Sequence, residues 1–203
     1  MRDRDLVRLY WPVELRPAFD ALFAIDDAMG DVVTRATEPA LAAIKLAWWR
    51  DRLEELDQGK IPAEPRLQAA ADELLTRSIA GESLAGLEDG WAALLEPEPE
   101  VKRIAERGAR LFDLASSLLG VADPMIEGAG SLYACEHARR RGLLVDYPEM
   151  PEIGGHRFAK PLRPLTGLTA LAMRDGRRDT LEPEGTPGRA LTLLRHRMTG
   201  RIA

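Results

Sequence analysis

Between Val101 and Leu119 the apolar residues Val101, Ile104, Leu111, Phe112, Ala115, Leu118 and Leu119, joined by Gly108, recur at intervals of three and four. That spacing gathers them on one side of an α-helix and scatters them over both faces of a strand. A helix with one apolar side must be covered by other elements. Elsewhere the chain is short of runs of strand formers and rich in Ala, Leu, Arg and Glu, residues that lose little freedom in a helix. The expected class is therefore all-α.

Further helical patterns surround this one. Leu15, Phe19, Leu22, Phe23 and Met29 repeat over 14–33, with Pro12 suited to the helix start. From Pro39 to Asp57, Leu46, Trp49, Leu53 and Leu56 share a face that Leu41, Ile44 and Trp48 widen, with Thr37 as the expected cap and Gly59 as the stop. Leu67, Ala71, Leu74 and Leu75 follow the linker 59–65, and Ser83 is the expected cap of a short helix carrying Leu84, Leu87, Trp91 and Leu94. Pro97 and Pro99 break the chain there. Asp123 and Pro124 read as cap and first position of a helix through Arg140, in which Gly128, Gly130 and Ala134 allow a neighbour to approach closely. Residues 145–161, rich in Pro and Gly, read as a loop, followed by helical patterns over 162–174 and 187–198. The sum is one domain over 1–203, a bundle of roughly seven or eight helices.

Composition removes several function classes. With Cys135 as the sole cysteine, neither an internal disulfide nor a cysteine metal cluster can form. The net charge of −5 disfavours nucleic acid as the main partner. No apolar stretch is long enough to span a bilayer, and the charged N-terminus lacks a signal-peptide core. A cytoplasmic protein is expected. Residues 189–203 carry Arg189, Arg195, Arg197 and Arg201 without an acid, beside Leu191, Leu194 and Met198. This segment suits peripheral contact with an anionic membrane or a protein partner, or is simply the last helix of a bundle.

Two stretches carry a family resemblance. Leu9 to Ile25, in which an aromatic-Pro turn leads into Arg16-Pro-Ala18 and Leu22-Phe-Ala24, resembles the opening of the squalene/phytoene synthase family. Lys45 to Gly59, with Trp48, Trp49, Arg50 and an acidic run, is similar to that family's next signature. The resemblance implies an isoprenoid synthase-type bundle with an apolar tunnel between helices. Active members join two prenyl diphosphates with Mg²⁺ held by two acidic motifs on facing helices.

The acids that such chemistry needs are thin here. Mg²⁺ bridges diphosphate oxygens to carboxylates and neutralises the leaving group. In register with the family's first motif the chain reads Gly30-Asp-Val-Val-Thr34, so only Asp31 remains. Asp27 and Asp31, four apart on one helix face, form the candidate metal pair, with Asp26 beside them. The alternatives are solvated acids at a helix end, or a core-lining acid paired with an arginine. Where the second motif is expected, the chain offers Glu127, Glu136 and His137, with Glu136 expected on the surface. Arg139, Arg140 and Arg141 are the candidate diphosphate ligands, since the guanidinium fork matches phosphate oxygens. The other role open to them is a solvated helix end favoured by the helix dipole. Phe23, Trp48 and Trp49 are the candidates for lining the tunnel, with core packing as their other role.

Two functions follow, beside the plainer possibility of an all-helical protein with no inherited ligand site. One is a protein that has lost Mg²⁺-dependent condensation and binds a prenyl diphosphate, another lipid or a protein partner, as do the related respiratory complex I assembly proteins that lack the acid motifs. The other is an active or altered prenyltransferase using Mg²⁺ on Asp27 and Asp31. The eroded motifs favour the first.

Overall fold

A computed structural model describes residues 2–146, 153, 155–178 and 180–202. Among them the regular elements are helical, and pairing of the β type is confined to one antiparallel bridge between Arg157 and Arg201. The helices are α1 (Asp3–Arg8), α2 (Arg16–Thr34), α3 (Pro39–Leu56), α4 (Pro65–Glu73) and the short α5 (Gly81–Ala85) and α6 (Glu88–Ala92). They continue as α7 (Val101–Leu119), α8 (Ile126–Arg140), α9 (Arg163–Gly176) and α10 (Pro187–Thr199). Of the expected loop over 145–161, residues 147–152 and 154 lie outside the described residues.

α7 behaves as its stripe requires. Ile104, Gly108, Leu111, Phe112 and Ala115 are buried, and Gly120 closes the helix in the left-handed conformation at φ 65°, where glycine carries no Cβ penalty. α8 lies against it at a glycine crossing. A Cβ built on Gly108 would sit 2.1 Å from the Gly130 carbonyl oxygen, and one on Gly130 equally close to the Gly108 oxygen. Gly128, by contrast, faces open space. The close approach brings the Ser131 hydroxyl to the Ala105 carbonyl at 3.0 Å. α9 packs on the far side of α8, where Thr169 donates to the Ala129 carbonyl at 3.0 Å. α10 packs on α9, and α1 rests against both. Arg163, at the start of α9, caps the end of α10 by donating to the carbonyls of Arg197 and Met198 at 2.9 and 3.0 Å, where a cation meets the negative end of the helix dipole.

Several local expectations are corrected. Pro12 precedes a single 3₁₀ turn over Val13–Leu15, and α2 begins at Arg16. α3 begins after Glu38, whose side chain makes no capping bond, and buries Ala42, Leu46, Trp49, Leu53 and Leu56, whereas Leu41, Ile44 and Trp48 are exposed. A single helix face is too narrow for both tryptophans, which lie about 100° apart. Ser83 is not a cap. Asp57, from the end of α3, accepts the Gly81 and Glu82 amides at 2.7 and 2.9 Å, so the capping side chain arrives from a distant segment. Asp123 bonds the Met125 amide at 2.9 Å, but α8 starts only at Ile126.

The buried apolar side chains form one cluster that runs from Val7 to Ile202. Trp11, Phe19 and Phe23 meet in series as tilted rings with centroids 4.5 Å apart, tying the N-terminal turn to α2. Among the described residues no helix is long and apolar enough to cross a membrane.

Candidate functional site

α1, α2, α8, α9 and α10 leave a cleft of about 360 Å³ between them, within the size range of small-ligand sites. Leu168, Leu171 and Ala172 of α9 supply an apolar wall, and Tyr133 of α8 an aromatic one. The remaining surface is charged: Arg2, Arg4, Arg140, Arg141 and Arg189 face Asp3, Asp27, Glu136, Asp175 and Glu184.

These charges are arranged as two ion-pair clusters. At one side Arg189 of α10 donates to Asp3 at 2.7 Å and to both carboxylate oxygens of Asp175, one of them at 3.1 Å. Arg140 adds a bond to Asp175 at 2.9 Å, so a single carboxylate joins α8, α9 and α10. Breaking such a buried set strands a charge, which costs far more than an exposed pair returns. At the other side Arg4 pairs with Asp27, while Arg141 reaches Asp27 at 3.3 Å and Asp31 at 3.2 Å. Arg35 approaches Asp31 from the surface at 3.3 Å.

Behind this second cluster lies a fully buried one. Asp26 accepts the Trp91 indole N–H at 2.8 Å and the Arg107 guanidinium at 2.5 Å, and Arg107 lies 3.9 Å over the Trp91 ring. His137, which lines the cleft beside Tyr133, stacks on its ring at 5.3 Å and accepts the Arg141 Nε–H at Nε2, 3.1 Å away. Its proton therefore sits on Nδ1, which has no partner among the described residues. Burial first, then Arg141 and Arg107, hold His137 well below the ordinary imidazole value. Burial likewise pushes the Tyr133 phenol up and the Cys135 thiol up to about 11. None of the three is poised as a proton carrier or nucleophile near neutral pH.

No family model, curated protein or solved structure matches this chain.

The sequence-derived candidates separate accordingly. Asp27, Arg140 and Arg141 line the cleft. Asp31 meets Arg141 from outside that lining, and Arg139 is tied to Glu136 at 2.9 Å and to the Asp175 carbonyl. Glu136, expected on the surface, is buried, as is Asp26. Of the roles weighed for Asp26, that of a core acid held by an arginine is the one observed. Phe23 is a core residue with the Arg4 guanidinium 5.2 Å above its ring. Trp49 is buried beside a separate hollow between α2 and α3, and Trp48 touches it edge-on at 5.3 Å while facing outward. Neither lines the cleft.

Asp3, Arg4 and Asp175 were not among the candidates, and Arg189, expected within the basic segment 189–203 to meet a membrane or partner, is buried against Asp3 and Asp175 instead. Each lies at a helix end, and nothing in its immediate sequence announces a partner on another helix.

Mg²⁺ does not fit the acid pair as it stands. The ion requires near-octahedral oxygen ligands at about 2.0–2.1 Å and gives up water reluctantly. The Asp27 and Asp31 oxygens are instead directed at Arg4, Arg35 and Arg141. Among the described residues no group of three or more His, Cys, Asp or Glu side chains converges as a metal site would.

Proposed function

We propose that this chain is a squalene/phytoene synthase-like protein that has given up Mg²⁺-dependent condensation and works by binding, as a lipid- or protein-binding factor of the assembly type with the cleft as its lipid site. One observation carries this reading: Arg141 stands between Asp27 and Asp31, 3.3 and 3.2 Å from their carboxylates. A guanidinium keeps its charge at any physiological pH. It neutralises the pair that a condensing enzyme of this kind would offer to metal.

The cleft's chemistry supports a lipid. Leu168, Leu171 and Ala172 can take an apolar chain, while Arg140, Arg141 and Arg4 at its charged rim can share their donors with an anionic head. The five lining carboxylates oppose a multiply charged head. A diphosphate would have to draw arginines away from existing pairs, so its binding should be modest. A second reading, an active prenyltransferase, keeps one point in its favour: Asp27 and Asp31 do converge on a common cation, and that cation is the Arg141 side chain.

Calorimetric titration with farnesyl diphosphate, with and without Mg²⁺, together with product analysis, separates the two. Binding of equal strength in both conditions and no condensed hydrocarbon is expected. Binding that requires Mg²⁺, or a head-to-head product abolished by Asp31→Ala, would overturn the proposal in favour of the enzyme. Absence of binding in either condition would remove the lipid site from the cleft.

A further inference from the structure

α10 has two unlike sides. Arg189, Leu193 and His196 are buried on one. Leu191, Leu194 and Met198 stand on the other, 65%, 45% and 71% exposed. Their spacing of three and four stacks them in a single line along the helix. Isolated exposed apolar residues are ordinary, but a continuous stripe over two turns is not.

The charges around this stripe are sorted. At 100° per residue, Arg195 falls roughly 70° to one side of it and Arg197 roughly 90° to the other. Both are exposed, and the helix carries no acid. Arg177, Arg195 and Arg201 border one hollow alongside α10, and the antiparallel bridge to Arg201 brings Arg157 to the same end. None of Arg157, Arg177, Arg195, Arg197 and Arg201 has a carboxylate partner among the described residues, whereas Arg4, Arg8, Arg103, Arg140, Arg141 and Arg189 all do. In a chain of net charge −5 this group of cations, with Arg197 lying over the Tyr10 ring, is a local reversal of the overall sign.

We infer that the outer face of α10 is a docking surface for an anionic lipid bilayer. A bilayer surface satisfies both halves of the pattern: the stripe enters the headgroup and acyl boundary while the flanking arginines stay at the level of the lipid phosphates. A nucleic acid would use the arginines and leave the stripe in water. The exposed stripe of Leu41, Ile44 and Trp48 on α3 is a useful contrast. It is bordered by Glu38 and Asp51 as well as Lys45 and Arg52, so its charge selects no partner. The docking surface stands independently of the ligand assigned to the cleft.

Co-sedimentation of the full chain with vesicles tests it. The chain should bind vesicles of phosphatidylcholine mixed with phosphatidylglycerol and bind phosphatidylcholine alone several-fold more weakly, with added salt releasing it. Arg195→Gln combined with Arg201→Gln should lower partitioning roughly tenfold or more. Leu191→Ser combined with Met198→Ser should abolish it at unchanged circular dichroism and melting temperature, since both side chains are exposed. Failure of the unaltered chain to bind either vesicle would overturn the inference. So would equal binding by both double variants, or retention of a labelled oligonucleotide by a chain that ignores vesicles.

Discussion

Arg107 donates to Asp26 at 2.5 Å inside the core, and neither side chain reaches solvent. The pair links α7 to α2, with Trp91 of α6 donating to the same carboxylate oxygen at 2.8 Å. Removing one partner leaves the other charged and desolvated, which typically costs about 3–5 kcal/mol. Arg107→Met and Asp26→Leu should each lower the unfolding free energy by roughly that amount in urea titrations. The double variant should recover much of the loss, because the shape-filling replacements leave no stranded charge. Single variants that lose less than about 1 kcal/mol would show that the charge is relieved some other way.

The crossing of α7 and α8 makes a sharper stability test because it contains its own control. Gly130→Ala would drive a methyl group to 2.1 Å from the Gly108 carbonyl oxygen, and backbone cannot swing aside as a side chain can. Overpacking of this kind costs about 1–3 kcal/mol, and a contact this short belongs at the upper end. Gly128→Ala lies on the same helix facing open space, and relief of glycine's conformational entropy should stabilise it by roughly 0.5–1 kcal/mol. Thermal melts of the two variants should move in opposite directions.

The helices that were legible in the sequence are those whose apolar stripe runs for several turns. α2 and α7 bury Phe19, Leu22, Phe23, Leu111, Phe112 and Ala115 as their spacing indicates. α1 is hidden because six residues, four of them charged, show no stripe; only the adjacent Leu6 and Val7 meet the core. The turn at α5 is hidden because its capping carboxylate, Asp57, lies 24 residues upstream. The same limit governs the site. Asp27 stands out as an acid four residues from Asp31, and Arg140 and Arg141 as bases at a helix end, but whether such a residue is solvated or buried depends on its partner. Asp3 finds Arg189 at a separation of 186 residues, and Asp26 finds Arg107 at 81. No local pattern contains that information. The breadth of α3 failed for a different reason: Leu41, Ile44 and Trp48 look like core residues by type, yet no helix among the described residues covers them.

His137 gives the fold a dependence on pH whose sign can be worked out. In the native chain, burial together with Arg141 and Arg107 keeps the imidazole neutral well below its ordinary value of 6.5. In the unfolded chain it titrates normally. Below about pH 6.5 the unfolded state therefore takes up a proton that the native state refuses, and stability falls as pH falls. Above that value this contribution is constant. His196, on the buried side of α10 and with its pKa also lowered by burial, adds in the same direction. The urea midpoint should accordingly drop between about pH 7.5 and pH 5.5. His137→Phe keeps a ring against Tyr133 and removes both the titrating group and the unpartnered Nδ1–H. Its midpoint should vary less over that interval than that of the unaltered chain. An equal slope in both proteins would mean that His137 already accepts its proton in the folded state, contrary to the arrangement of Arg141 against its Nε2.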